Sequence, residues 1–347
     1  MSAAATAGVN GWVNPFVGTS NYGTTNPGAV CPNGMMSATP FNVMGSALNR
    51  FDKDKRWWST PYSSDNKYFT GFSHVNLSGV GCPEVGLALT MPTSGELIVD
   101  YSRYGSEYSN ETAVPGYYSC KLTAYDILAE VSTTCRTSIE RYTFPEGSGN
   151  ILVNFGEGLT NETGAWIRKI SDTEIEGMRL AGTFCYNSQA VFPVYFAIRI
   201  NKRPASCGFW KKQPQMNGPE GMWCEDDGTY KIYRKYGREI AGDDIGYWFT
   251  FETEEGEQVE LQMGVSFVSC ENAWENLNAE QAKLAPGASN FETVRAAAEA
   301  AWESDLSRIK VTGGTDRDLE VFYTALYHTL IHPSILNDVN GEYPLIE

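Results

Sequence analysis

The chain is short of basic residues, and that shortage excludes the first class of partner. Lysine and arginine number 26 against 42 aspartates and glutamates, a formal net charge of -16 over 347 residues. The average field repels a phosphate backbone, so nucleic acid is excluded as a partner unless a local basic patch exists. No run of about 18 apolar residues occurs, so no segment is read as a membrane span. Eight cysteines (Cys31, Cys82, Cys120, Cys135, Cys185, Cys207, Cys224 and Cys270) include no C-x-x-C pair and so show no zinc-site spacing; whether any form disulfides stays open. Low-complexity tracts, long charge blocks and short repeats are missing too, which removes disordered and solenoid architectures. The start, Met1 to Asn10, lacks the basic region and apolar core of a signal peptide, so either export is absent or its signal lies outside this sequence.

What is present is a globular chain, 42% apolar and 20% charged, long enough for about two or three domains. From about residue 9 to 270 it reads as short strands broken by turns: Tyr117 to Ala124, Ile127 to Cys135, Ser138 to Phe144, Ile151 to Phe155, Val191 to Asn201, Gly246 to Phe251 and Gln258 to Ser269. Many strands without intervening helices imply antiparallel pairing. The length favours a large two-sheet sandwich over a small barrel. After Cys270 the period changes. A helix is expected over Glu271 to Leu284, ended by Pro286-Gly287. Ser289-Asn290-Phe291-Glu292 fits a capping box before Phe291, Val294, Ala298, Trp302, Leu306 and Ile309, which recur at helical spacing. A third helix opens on Thr315, with Asp318 three residues on, and runs through Leu319, Phe322, Tyr323, Leu326 and Leu330 to a stop at Pro333. Its apolar face either packs back on the sandwich or opens a helical domain that this sequence does not contain. The segment Asn337 to Tyr343 after it looks like a functional loop cut short.

Gly71 to Cys82 (GFSHVNLSGVGC) places one of only three histidines among polar side chains and glycines. Gly71, Gly79 and Gly81 allow close approach to the backbone, and Ser73, His74, Asn76 and Ser78 supply hydrogen bonds, a combination suited to a polyhydroxylated ligand. The equal alternative is a turn between strands with His74 satisfied structurally. Trp57 or Trp58 can stack on a sugar face or complete a core. Glu84 can bond a hydroxyl or solvate a loop, and Cys82 reads as a small buried packer rather than a nucleophile. His328 and His332 share one helix face, but the glutamate of an H-E-x-x-H zinc motif is missing, so packing is the favoured role. Sequons at Asn76, Asn110 and Asn161 carry meaning only in a glycosylating secretory pathway.

Seven segments in order resemble glycoside hydrolase family 92, the calcium-dependent exo-acting α-mannosidases. They are Val13 to Thr19 with Asn26 to Met35, Gly71 to Cys82, Met91-Pro92, Glu111 to Tyr118, Gly264 to Ser269, Phe322 to His328, and Asp338 to Tyr343. The resemblance implies a mainly β fold: a large antiparallel two-sheet β-sandwich (1–270), a helical linker (271–314) and the first helix of an (α/α) barrel (315–347) whose remainder is missing from the chain. It implies inverting hydrolysis of terminal α-mannosides of N-glycans or mannan, with Ca2+ as cofactor. Catalytic carboxylates and metal ligands are expected beyond Glu347, so this chain alone is expected to be inactive. Its expected contribution is one wall of a sugar pocket: Gly18, Thr19, Trp57, Trp58, His74, Glu84, Asp338 and Asn340, with Asp338 and Asn340 equally readable as turn formers. Expected partners are a mannose-containing oligosaccharide and the missing barrel. The resemblance also implies a periplasmic, cell-surface or secreted location, although the N-terminus shows no signal. A free-standing carbohydrate-binding module and an interaction subunit of a split mannosidase are the competing readings.

Overall fold

The structure is a computed structural model that describes residues 8–21, 23–43, 59–160, 164–182, 191–217, 222–234, 237–283 and 287–345. Among these, β-branched and aromatic runs form two antiparallel sheets. The first has eight strands in the order Ala29–Val30, Ser37–Phe41, Gly71–His74, Leu89–Ser94, Gly147–Asn154, Ile245–Thr253, Ser206–Asn217 and Met222–Tyr233. The second has ten, in the order Glu239–Gly242, Ala165–Lys169, Glu174–Gly182, Val191–Ile200, Glu257–Ser266, Thr137–Phe144, Ile127–Thr133, Tyr117–Leu122, Ser106–Val114 and Tyr68–Phe69. The expected sandwich is therefore what forms, and every strand expected from the sequence is present with ends moved by a few residues.

The two sheets meet through large buried side chains. Phe155 stacks on Phe196 with ring centres 4.3 Å apart, and Phe72 meets Tyr118 edge to face at 6.0 Å, so each contact joins one sheet to the other. One polar bridge crosses the same apolar interior. His74 Nε2 lies 2.5 Å from Glu140 Oε1, Tyr142 donates its hydroxyl to the other carboxylate oxygen, and all three residues are fully buried. The remaining ring nitrogen, Nδ1, lies 3.2 Å from the Ala88 carbonyl. Arg179 acts similarly, donating to the carbonyls of Leu87, Glu157 and Thr160 at 3.3, 3.1 and 2.7 Å and so satisfying loop groups that burial would otherwise orphan.

Three helices follow. The first, α1 (Cys270–Glu280), is capped by Ser269, whose hydroxyl accepts from the Asn272 N–H. It lies on the outer face of the ten-stranded sheet over Ala197. Gly264 makes that approach feasible, since a Cβ there would sit 2.5 Å from the Ala273 carbonyl. In α2 (Phe291–Leu306) the buried residues are Phe291, Val294, Ala298, Trp302 and Leu306, the expected stripe except for Ile309, which lies past the helix end and is exposed. Its expected capping box does not form: Ser289 donates to Glu260 Oε1, and Glu260 Oε2 also accepts from the Asn290 N–H at 2.9 Å. The helix starts one residue later than the box requires, with Asn290 rather than Ser289 at the N-cap, and the Ser289 hydroxyl is turned to the sheet carboxylate. The third helix, α3 (Asp316–Leu330), does carry its capping box, with Thr315 and Asp318 satisfying each other's N–H groups.

Removing one member of the inter-sheet bridge leaves the other buried without its partner. His74→Leu is expected to lower unfolding free energy by about 3–5 kcal/mol, and adding Glu140→Leu to restore part of that loss. Urea denaturation of the chain and both variants checks this.

Candidate functional site

Sandwich and α3 meet along a seam built by the opening segment, which runs there as turns rather than as a long strand. The Asn14 N–H donates to Thr324 Oγ1 at 3.0 Å and its side-chain amide donates to Glu320 Oε1 at 2.9 Å. The Asn33 N–H donates to the Leu330 carbonyl at 2.7 Å, satisfying one of the acceptors that a helix end leaves open. The Trp302 indole N–H donates to the Val30 carbonyl at 2.7 Å, and Val13, Val30 and Trp302 bury Tyr323 and Tyr327. Much of the aromatic face of α3 is thus covered by this chain's own residues. Its opposite side is open, with Val321 62% exposed.

A narrow cleft lies in this seam, lined by Asn26, Gly28, Ser37, Asn76 and Ser78 from the sandwich and by Tyr327 and Ile331 from the helical side. Electrostatics couples the half-buried Glu84 to His332, just past the end of α3. Burial pushes the Glu84 carboxyl above its ordinary range, and the charge of His332 opposes that shift. His328 leans on Tyr327 with ring centres 5.7 Å apart, and its Nε2 is buried without a hydrogen-bond partner. Burial holds the His328 imidazole below its usual range. A single half-buried carboxyl can exchange one proton or hold one hydroxyl. Glycoside hydrolysis takes two carboxyl groups in separate roles, so Glu84 alone does not make a catalytic centre.

The other sequence candidates divide sharply. His74 has no face for a ligand, because burial and the Glu140 bridge use both ring nitrogens; the structural reading of that residue is the one that holds. Gly71–His74 is a buried strand, and only the part of the motif beyond it is loop. Thr19 is likewise buried, with its hydroxyl donating to the Phe16 carbonyl at 2.8 Å, whereas Gly18 sits exposed in a turn at φ +83°. Trp57 and Trp58 fall outside the described residues. Cys82 is disulfide-bonded and half-buried, which corrects its reading as a buried packer.

Asp338 is a structural anchor rather than a sugar contact. Only 1% exposed, it accepts from Ser266 Oγ at 2.7 Å, from the Asn272 amide at 2.8 Å and from the Asn276 amide at 2.6 Å. Asn340 is exposed and donates to Glu275 Oε2 at 2.8 Å. Sequence reasoning missed Asn272 and Asn276, although the segments Gly264 to Ser269 and Asp338 to Tyr343 were both singled out; the Ser266–Asp338 bond brings those two together. Among the described residues no group of three or more histidine, cysteine, aspartate or glutamate side chains is arranged to hold a metal ion.

The sequence model described as "Glycosyl hydrolase family 92 N-terminal domain" matches residues 12–266, and that described as "Glycosyl hydrolase family 92 catalytic domain" matches residues 272–347. A curated relative from Arthroderma benhamiae, named "Uncharacterized secreted glycosidase", is 27% identical over 96% of this chain and 42% of its own length. A family GH92 alpha-mannosidase from Bacteroides thetaiotaomicron is similar in structure with a TM-score of 0.80 and 28% identity, covering 98% of this chain and 43% of that one. A second protein of that organism, named a Family GH92 inverting mannosidase, shares the fold at a TM-score of 0.76 and 22% identity over 97% of this chain and 41% of its own. The chain therefore spans less than half the length of these relatives.

Two measurements follow from the site. Asp338→Ala strips three donors of their acceptor and is expected to destabilise the chain by about 3 kcal/mol, with accelerated amide exchange over 337–343. In a carboxyl-resolved NMR titration, His332→Gln is expected to raise the Glu84 midpoint further, because the opposing charge is gone.

Proposed function

The chain belongs to glycoside hydrolase family 92, and from that premise we propose that it is the N-terminal part of an inverting exo-α-mannosidase acting on terminal α-mannosides of N-glycans or mannan. The observation that supports this reading is the match of both family models in order over almost the whole chain. In this reading residues 1–270 form the sandwich domain, 271–314 the linker and 315–347 the start of the catalytic (α/α) barrel. Inverting hydrolysis takes one protonated carboxyl to assist the leaving oxygen and one carboxylate to activate water, about 6.5–9.5 Å apart. Both groups, and the ligands for calcium, are assigned to the portion of the whole protein that corresponds to the remaining length of its relatives.

The role of this chain is to shape one wall of the sugar pocket. Glu84, half-buried and electrostatically coupled to His332 just past the end of α3, can bind and orient a hydroxyl; Gly18 and Asn340 are exposed and remain in the proposed wall. The outward side of α3 would then face the barrel. Export is part of the proposal, supported by the name of the fungal relative and by the disulfide at Cys82, a bond that persists in oxidising compartments.

The test is release of free mannose from α-1,2-, α-1,3- and α-1,6-linked mannobiose by the whole protein and by the 347-residue chain, each with calcium and with EDTA. Calcium-dependent release by the whole protein alone is expected. Release by the chain itself would overturn the placement of the carboxyl groups, and sugar binding without release by either would favour the carbohydrate-binding reading.

A further inference from the structure

We propose that Asn110 is an N-glycan acceptor and that Asn76, which carries the same sequon, is not. The sequons Asn110-Glu111-Thr112 and Asn76-Leu77-Ser78 are equivalent as text. Their surroundings are opposite. The register of strand Ser106–Val114 against Tyr117–Leu122 shifts between Ser109 and Thr112, and Asn110 at this bulge has φ +53°, in the left-handed region that asparagine tolerates better than most residues. Glu111 is held from the inner side: its Oε1 accepts the hydroxyls of the buried Tyr62 and Tyr118 at 2.9 and 2.7 Å. With residue 111 held in this way, Asn110 and Thr112 on either side of it are both exposed. The acceptor amide and the hydroxyl that a sequon requires are therefore presented to solvent together. Among the described residues the outer edge of this strand pairs only at Ser106 and Glu107, so no neighbouring strand crowds Asn110.

Asn76 is built into the interior. Its amide nitrogen donates to Ser73 Oγ at 2.9 Å, its N–H donates to Ser37 Oγ at 2.8 Å, its carbonyl accepts from that hydroxyl at 2.9 Å, and the residue is 6% exposed. The hydroxyl of Ser78 accepts from the Asn26 N–H at 3.1 Å. A glycan on Asn76 would have to displace the Ser73 contact and part the loop from the sheet, so a chain modified there does not reach this fold.

The modifying step joins Asn110 Nδ2 to the anomeric carbon of an oligosaccharide carried on a polyprenyl pyrophosphate. The anomeric C–O bond breaks, the lipid pyrophosphate leaves with its electron pair, and one amide proton passes to a base of the transferase. No redox partner is needed. The inference rests on the export reading for its setting in the cell and on the geometry alone for its choice of residue.

The experiment secretes the full 347-residue chain from yeast behind a heterologous leader, so that its outcome does not depend on native export. Peptide mass spectrometry after enzymatic deglycosylation then reads each asparagine separately; this matters because Asn161 lies outside the described residues. The expected result is occupancy of most Asn110, none at Asn76, complete loss at Asn110 in Thr112→Ala, and no change in Ser78→Ala. An empty Asn110 in the secreted, folded protein, or a glycan on its Asn76, would overturn the proposal. Where the natural protein is found in its source organism tests the export reading separately.

Discussion

The carboxylate of Asp338 is the point on which the helical part of this structure turns. A buried charge is costly unless its lone pairs are used, and here the donors come from the end of a sheet strand, through Ser266, and from two positions on α1, Asn272 and Asn276. One side chain thus fixes the loop after α3 to the sandwich and to α1 together. Arg136 reinforces the arrangement, donating from Nε to the Asn337 carbonyl at 2.7 Å while its Nη1 donates to Glu280 Oε1, also at 2.7 Å. The rotation and height of α3 over the seam are constrained from this end by Asp338 and from the other face by Tyr323 and Tyr327.

The seam explains why the proposed pocket residues and a load of structural polar groups share one stretch of sequence. The loops that line the cleft are held by serine, threonine and asparagine side chains bonded to backbone, as with Asn26, whose Oδ1 accepts from both the Gly28 N–H at 3.3 Å and Thr39 Oγ1 at 3.1 Å. Such groups resemble ligand contacts when read as text. Their geometry assigns most of them to positioning the loops, with Glu84 left as a half-buried carboxyl that feels the charge of His332.

How much was legible follows from where each signal comes from. Period-two runs and helical stripes are local, so the sandwich and the three helices could be read from the sequence, and so could the cap at Thr315. Glu260 and Ser289 show where local reading stops: a carboxylate 29 positions away holds both the Ser289 hydroxyl and the Asn290 N–H, the helix starts with Asn290 at its N-cap, and nothing near Ser289 signals that. His74 is a similar case. Its glycine- and serine-rich surroundings suggest an open loop, yet Glu140, 66 residues on, lies across the sandwich and fixes it in the interior. Family resemblance picked out Gly264 to Ser269 and Asp338 to Tyr343 as segments that matter, without showing that they matter to each other.

Gly264 has a reach larger than its size. The sheet and α1 are in contact there with no spare volume, since a Cβ would meet both the Ala273 carbonyl at 2.5 Å and Leu277 Cβ at 2.8 Å. Alanine at this position would have to lift α1 off the sheet, and Asn272 and Asn276 ride on that helix. The displacement would be transmitted to Asp338 as misaligned hydrogen bonds, 74 positions along the sequence from its origin. A single hydrogen atom in place of a methyl group thus acts as a mechanical tolerance, setting how accurately a distant loop can be held.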